Sequence, residues 1–126
     1  MAEPGGALER AVMESLWTAP RPLRVRELLA RLNAGAERQL AYNTVQTVAE
    51  RLTHKGLLRR IPEGQAFRYT PTRSREEHTA ALILDALTDS ADRSATFARL
   101  AESLDPADAR QLIAALRART GDGRKG

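Results

Sequence analysis

The hydrophobic period of this chain switches from helical to strand-like at Leu57, and that change limits what the first half can fold into. Ahead of it stand three short apolar stripes at helical spacing. Leu8, Ala11, Val12 and Leu16 make the first, closed by Trp17; Val25, Leu28, Leu29 and Leu32 make the second; Val45, Val48, Ala49 and Leu52 make the third. Helices of this length are marginal alone in water, so the three must bury their stripes against one another. Their stops are well marked. Thr18-Ala19-Pro20-Arg21-Pro22 cannot continue a helix, Asn33-Ala34-Gly35 ends the second, and Lys55-Gly56 ends the third with a C-terminal charge and a C′ glycine. After Leu57 the pattern is that of strands: Leu57–Ile61 and Ala66–Thr70 flank Pro62-Glu63-Gly64-Gln65, and Pro71 ends the second. Phe67 and Tyr69 alternate with Arg68, so at least one ring faces the core. Three helices followed by a hairpin describe a winged helix-turn-helix, with the hairpin as the wing.

The remainder reads as helical. Leu82, Ile83, Ala86 and Leu87 share one side of a helix from about Ser74 to Thr88; Phe97, Leu100, Ala101 and Leu104 mark a second; Ala109, Leu112, Ile113 and Leu116 mark a third. Asp105-Pro106-Ala107-Asp108 is a helix start, and Ser94 is the expected cap of the helix before it. The fold class expected is therefore mainly α with a small β-hairpin wing: a winged helix-turn-helix domain followed by a three-helix C-terminal region. The expected divisions are a flexible N-terminus at 1–7, a winged domain at 8–72, a helical region at 73–120 and a disordered tail at 121–126.

Charge separates the two parts. Residues 1–71 hold 11 Lys+Arg against 7 Asp+Glu, while residues 72–126 hold 9 against 9, so the whole excess of +4 lies in the winged part. A local basic footprint suggests a polyanionic partner. With no cysteine there are no disulfides, thiolate sites or cysteine nucleophiles, and the two histidines, His54 and His78, leave a metal site unexpected. No phosphate-binding loop, dinucleotide fingerprint, nucleophile elbow or zinc-protease motif occurs, so neither a cofactor nor catalysis is expected. The first residues carry no secretory signal and no apolar run suffices for a membrane span; a cytoplasmic location without membrane insertion is the expectation.

The third helix, about residues 42–55, holds the most chemistry. At 100° per residue its apolar side lies opposite Asn43, Thr47, Glu50, Arg51 and His54, with Thr44 and Gln46 flanking. These side chains suit the major groove of DNA: Asn and Gln can pair with adenine, Thr can meet a thymine methyl or phosphate, and Arg can meet guanine or phosphate. Thr44 and Thr47 are poor helix formers, which suggests a role other than helix stability. Lys55 and the wing arginines Arg59, Arg60 and Arg68 are candidates for phosphates beside the groove. A rival reading is a winged-helix module that binds protein and lacks specific DNA binding; it would present apolar or acidic residues outward on this helix.

The segments Leu8–Trp17, Ala41-Tyr42-Asn43-Thr44-Val45-Gln46-Thr47-Val48 with Arg51-Leu52, Lys55-Gly56-Leu57-Leu58, and Phe67-Arg68-Tyr69-Thr70-Pro71 resemble the penicillinase-repressor family of bacterial transcription regulators over residues 8–119. The resemblance implies a repressor that dimerises through its C-terminal helices and binds inverted-repeat operator DNA. It implies base reading by Asn43, Thr44 and Thr47, with backbone or flanking contacts from Tyr42, Gln46, Arg51, His54, Lys55, Arg60 and Arg68. Leu82, Ile83, Leu87, Phe97, Leu100, Leu112, Ile113 and Leu116 are candidates for the dimer interface; the same stripes could instead cover the winged domain. The family's copper-responsive branch carries a cysteine cluster that this chain lacks. Its antibiotic-responsive branch is inactivated by a partner, a membrane sensor protease, through cleavage between Asn and Phe in the second dimerisation helix; the aligned pair here is Arg99-Leu100.

Overall fold

The computed structural model describes residues 4–125. Nine elements follow in order: α1 (Pro4–Thr18), β1 (Leu23–Arg24), α2 (Val25–Asn33), α3 (Tyr42–His54), β2 (Leu58–Glu63), β3 (Ala66–Pro71), α4 (Arg75–Thr88), α5 (Arg93–Ser103) and α6 (Pro106–Lys125). They form two compact units that divide at Ala80, within α4, further along the chain than the expected boundary at 72.

The core of the first unit is built from the three stripes. Val12, Met13 and Leu16 of α1, Val25 and Leu28 of α2, and Val45, Val48, Ala49 and Leu52 of α3 are buried with Leu23, Leu58 and Tyr69 of the strands. Met13 replaces the expected Ala11, which is exposed. The end of α3 closes as a Schellman motif, in which the Leu57 N–H reaches the Leu52 carbonyl (2.9 Å) and the Gly56 N–H reaches that of Thr53 (3.0 Å). Gly56 stands at φ +83°, where a side chain is strained.

The sheet is antiparallel in the order β1-β3-β2. Its hairpin turns through two residues, Gly64 and Gln65, with Glu63 opposite Ala66. Only Gly64 takes positive φ (+63°), the requirement of a type II′ turn, which matches the twist of the flanking strands. β2 is an edge strand, the place where Pro62 can sit without breaking a ladder. β1 is absent from the sequence reading, because two residues carry no alternation to detect; Leu23 pairs with Tyr69 and Arg24 with Arg68.

Trp17 and the start of α4 lock together inside the first unit. The indole Nε1 donates to the Arg73 carbonyl (3.0 Å) and its ring lies 5.3 Å from that of His78. Ser74 and Glu77 exchange hydrogen bonds as a capping box, Glu77 N–H to Ser74 Oγ and Ser74 N–H to Glu77 Oε1. Arg75 pairs with Glu14.

In the second unit the expected helices form with two differences in detail from the sequence reading. Asp92, not Ser94, caps α5, because its carboxylate rather than the Ser94 hydroxyl accepts from the Ala95 N–H. α6 starts at the expected Asp105-Pro106, but continues to Lys125 where a tail was expected from Gly121; elongating an established helix adds a hydrogen bond for each residue fixed, so single glycines need not stop it. At the other end, α1 begins at Pro4, inside the stretch expected to be flexible, since proline at a first turn leaves no N–H unsatisfied. Residues 1–3 and 126 lie outside the described residues. No residue of α4 or α5 is buried.

Candidate nucleic-acid interface

The core face of α3 determines which residues look outward. With Val45, Val48, Ala49 and Leu52 buried, Asn43, Thr47, Glu50 and His54 form the centre of the exposed face, within about 60° of arc. One flank carries Thr44, Arg51 and Lys55, all exposed; the other carries Tyr42, exposed, and Gln46, half-buried. The sequence-derived residues of this helix therefore occupy one continuous surface.

Charged partners divide the cations into two sorts. Glu9 of α1 receives Lys55 Nζ at 3.1 Å and has Arg51 Nη1 at 3.6 Å, yet both cations remain about half exposed. Their charge stays available at the surface, held in place by a carboxylate from α1. Arg60 on β2 lies over the ring of Phe67, with its guanidinium 4.5 Å from the centroid. This cation–π contact orients the side chain without neutralising it.

Arg68 belongs to the other sort, because two carboxylates and a carbonyl hold its side chain. Its Nε donates to Glu63 Oε1 (2.9 Å), and its Nη1 donates to Glu27 Oε1 (3.0 Å) and the Pro22 carbonyl (3.1 Å). The antiparallel register sets Arg24 beside it, and Arg24 Nε donates to the same Glu63 oxygen at 2.7 Å. Two carboxylates thus hold two arginines along the wing. Glu27 also accepts from the Arg24 N–H at 2.9 Å, one half of a capping box for α2.

The electrostatics follow from these bonds. The Arg24 backbone N–H, aided by the charges of Arg68 and Arg21, holds the Glu27 carboxyl below its ordinary value. Hydrogen bonds from Arg68 and then Arg24 do the same for Glu63, and the bond to Glu63 raises Arg68 in return. Burial pushes the Tyr69 hydroxyl up, with the nearby Glu50 charge adding to it.

Between α3 and the wing lies a cleft of about 440 Å³ lined by Arg24, Arg26, Tyr42, Gln46, Glu50 and Phe67 among others. Sequence reasoning missed Arg24 and Arg26 because they precede or begin a short helix, and nothing local shows that β1 brings them beside the wing. Glu9, Glu27 and Glu63 were missed for the same reason: a partner 39 or more residues away leaves no spacing signal. Among the described residues no group of three His, Asp or Glu side chains is placed to hold a metal ion.

The profile of the penicillinase repressor family matches residues 5–118. The chain belongs to the penicillinase repressor family. Transcriptional regulator BlaI of Mycobacterium tuberculosis, in strains CDC 1551 and H37Rv, is 42% identical over 123 residues, covering 93% of this chain and 88% of the relative. Among solved structures, the complex structure of hsRosR-S1 aligns over 93% of this chain and 92% of its own length at 16% identity and a TM-score of 0.50, a likeness of fold. The solution structure of the DNA binding domain of the repressor BlaI aligns over 56% of this chain and 83% of its own, at 28% identity and a TM-score of 0.48. Penicillinase repressor relatives are transcriptional regulators, not enzymes. Among the described residues no helix is long and apolar enough to cross a membrane.

Proposed function

We propose that this member of the penicillinase repressor family acts as a homodimeric repressor that places α3 of each copy in the major groove of an inverted-repeat operator. Asn43, Thr44 and Thr47 read base edges. Arg51, Lys55 and Arg60 meet backbone phosphates, and Tyr42, Gln46 and His54 lie beside them. The observation that carries this reading is the outward face of α3, where hydrogen-bonding side chains stand exposed opposite a fully buried apolar face. A protein-binding module would turn apolar or acidic residues outward there, and Glu50 is the one acidic residue on this face.

Exposure in the second unit supports the second copy. Leu82, Ile83, Phe97, Leu100, Leu112, Ile113 and Leu116 are all between 41 and 56% exposed in the single chain, joined by Leu84 at 62%, which the sequence reading omitted. Three helices that bury none of their large apolar side chains lack the burial that offsets the entropy of ordering them. An identical chain satisfies all three stripes at once. It also supplies the second recognition helix, needed because one helix reads too few base pairs for useful specificity. An inactivating partner such as a sensor protease belongs to the same reading, with Arg99-Leu100 in α5 at the position where the antibiotic-responsive branch is cut.

Titrating the protein against the duplex upstream of its own gene and against a scrambled duplex, at two salt concentrations, tests the proposal. Two chains per site, tighter binding to the first duplex and a steep fall with salt are expected. Arg51→Ala should weaken binding with the fold intact. Equal, weak binding to every duplex, including a pool of genomic fragments, would overturn the reading.

A further inference from the structure

Glu50 is out of place on a surface meant for a polyanion. It stands at the centre of the exposed face of α3, about 4.5 Å along the axis from Thr47 and about 10 Å from Asn43. The other carboxylates near α3 and the wing are engaged: Glu9 with Arg51 and Lys55, Glu27 with Arg21 and Arg68, Glu63 with Arg24 and Arg68. Glu50 has no ion pair among the described residues, and the nearby Arg60 is turned onto the ring of Phe67. A carboxylate carried unpaired into a groove between two phosphate backbones opposes binding unless the groove supplies a donor.

The major groove offers two such donors. Guanine presents only acceptors there and thymine an acceptor and a methyl group, so both repel or ignore a carboxylate. Adenine has its N6 amino group, but the adjacent N7 is an acceptor that opposes the second carboxylate oxygen. Cytosine presents the N4 amino group without an acceptor beside it on the same base. Resting on the operator-binding reading above, we propose that Glu50 is a specificity-determining residue that accepts a hydrogen bond from cytosine N4 at one position of each half-site.

Enriching a random duplex library on the wild-type protein, Glu50→Ala and Glu50→Gln tests this directly. The wild type should select cytosine at one position per half-site. Glu50→Ala should lose preference there and keep it elsewhere, and Glu50→Gln should shift it toward adenine, which Gln can pair with. Replacing that cytosine by a pyrimidinone nucleotide lacking the 4-amino group should weaken wild-type binding about tenfold or more and leave Glu50→Ala unchanged. Persistence of the cytosine preference in Glu50→Ala would overturn the proposal. So would a uniform gain in affinity for all sequences with no change in preference, since the carboxylate then only repels phosphates. Failure of the wild type to enrich any sequence would instead bring down the operator-binding reading itself.

Discussion

Arg68 shows how little a residue's type says about its task. It lies on a basic hairpin arm, as does Arg60, but Glu27 and Glu63 converge on Arg68 while an aromatic ring underlies Arg60. Their substitutions should therefore separate. Arg60→Ala should weaken DNA binding across all sequences and lower the slope of log affinity against log salt by about one, the mark of a lost phosphate contact. Arg68→Ala should leave that slope nearly unchanged while lowering the melting temperature, because two carboxylates each lose one of their partners. The same cluster sets a pH dependence. Glu27 and Glu63 have folded-state values depressed below the ordinary range, so their contribution is present above about pH 4.3, the unfolded value, and is lost as pH falls through the folded values. Thermal melting should be nearly flat from neutral pH down to that range and then decline. Replacing both residues, Glu27→Gln with Glu63→Gln, should flatten the acid limb; an unchanged limb would remove the cluster as its cause.

At the scale of elements, α3 and the wing depend on short-range geometry with long-range consequences. Gly56 and Gly64 hold positive φ where a Cβ meets open space, so only backbone strain opposes a side chain there. Gly56→Ala and Gly64→Ala should each cost about 1 kcal/mol, measured by denaturant unfolding. Gly64→Ala should also disturb the two-residue turn and with it the placement of Arg60 and Phe67, so DNA affinity should fall by more than stability explains. Leu52, 1% exposed, joins α3 to the core, and Leu52→Ala should cost about 2–5 kcal/mol. β1, only two residues long, has a role out of proportion to its length. By pairing with β3 it brings Arg24 against Arg68 and Glu63, and so ties the start of α2 to the wing.

For the whole molecule, the contrast between units governs behaviour. Every fully buried apolar side chain among the described residues precedes Thr70, whereas the large apolar residues of α5 and α6 are exposed. The winged unit has a core of its own; the helices beyond it leave their large apolar side chains exposed in the single chain. Leu112→Glu with Leu116→Glu should shift sedimentation from dimer to monomer and reduce helix content, since unpaired helices of this size are marginal. Binding to a full operator should fall far more than binding to an isolated half-site. An unaltered dimer in that variant would place the interface elsewhere.

Much of this protein was legible in its residues, and the reason is periodicity. The stripes Val25–Leu32 and Val45–Leu52, the Lys55-Gly56 stop and the switch of period at Leu57 are local signals, each expressed within a few residues, and they sufficed for the helices, the hairpin and the outward face of α3. The same signals left open whether Leu112 or Phe97 was interior or available, because a stripe records that a face is apolar and not what covers it. What tertiary structure alone decided were the pairings between distant residues: Arg68 with Glu27, Lys55 with Glu9, Trp17 with Arg73, and Leu23 with Tyr69. Each depends on where folding brings two segments together, and only that meeting separates the arginines left facing outward from Arg24 and Arg68, which brace the wing.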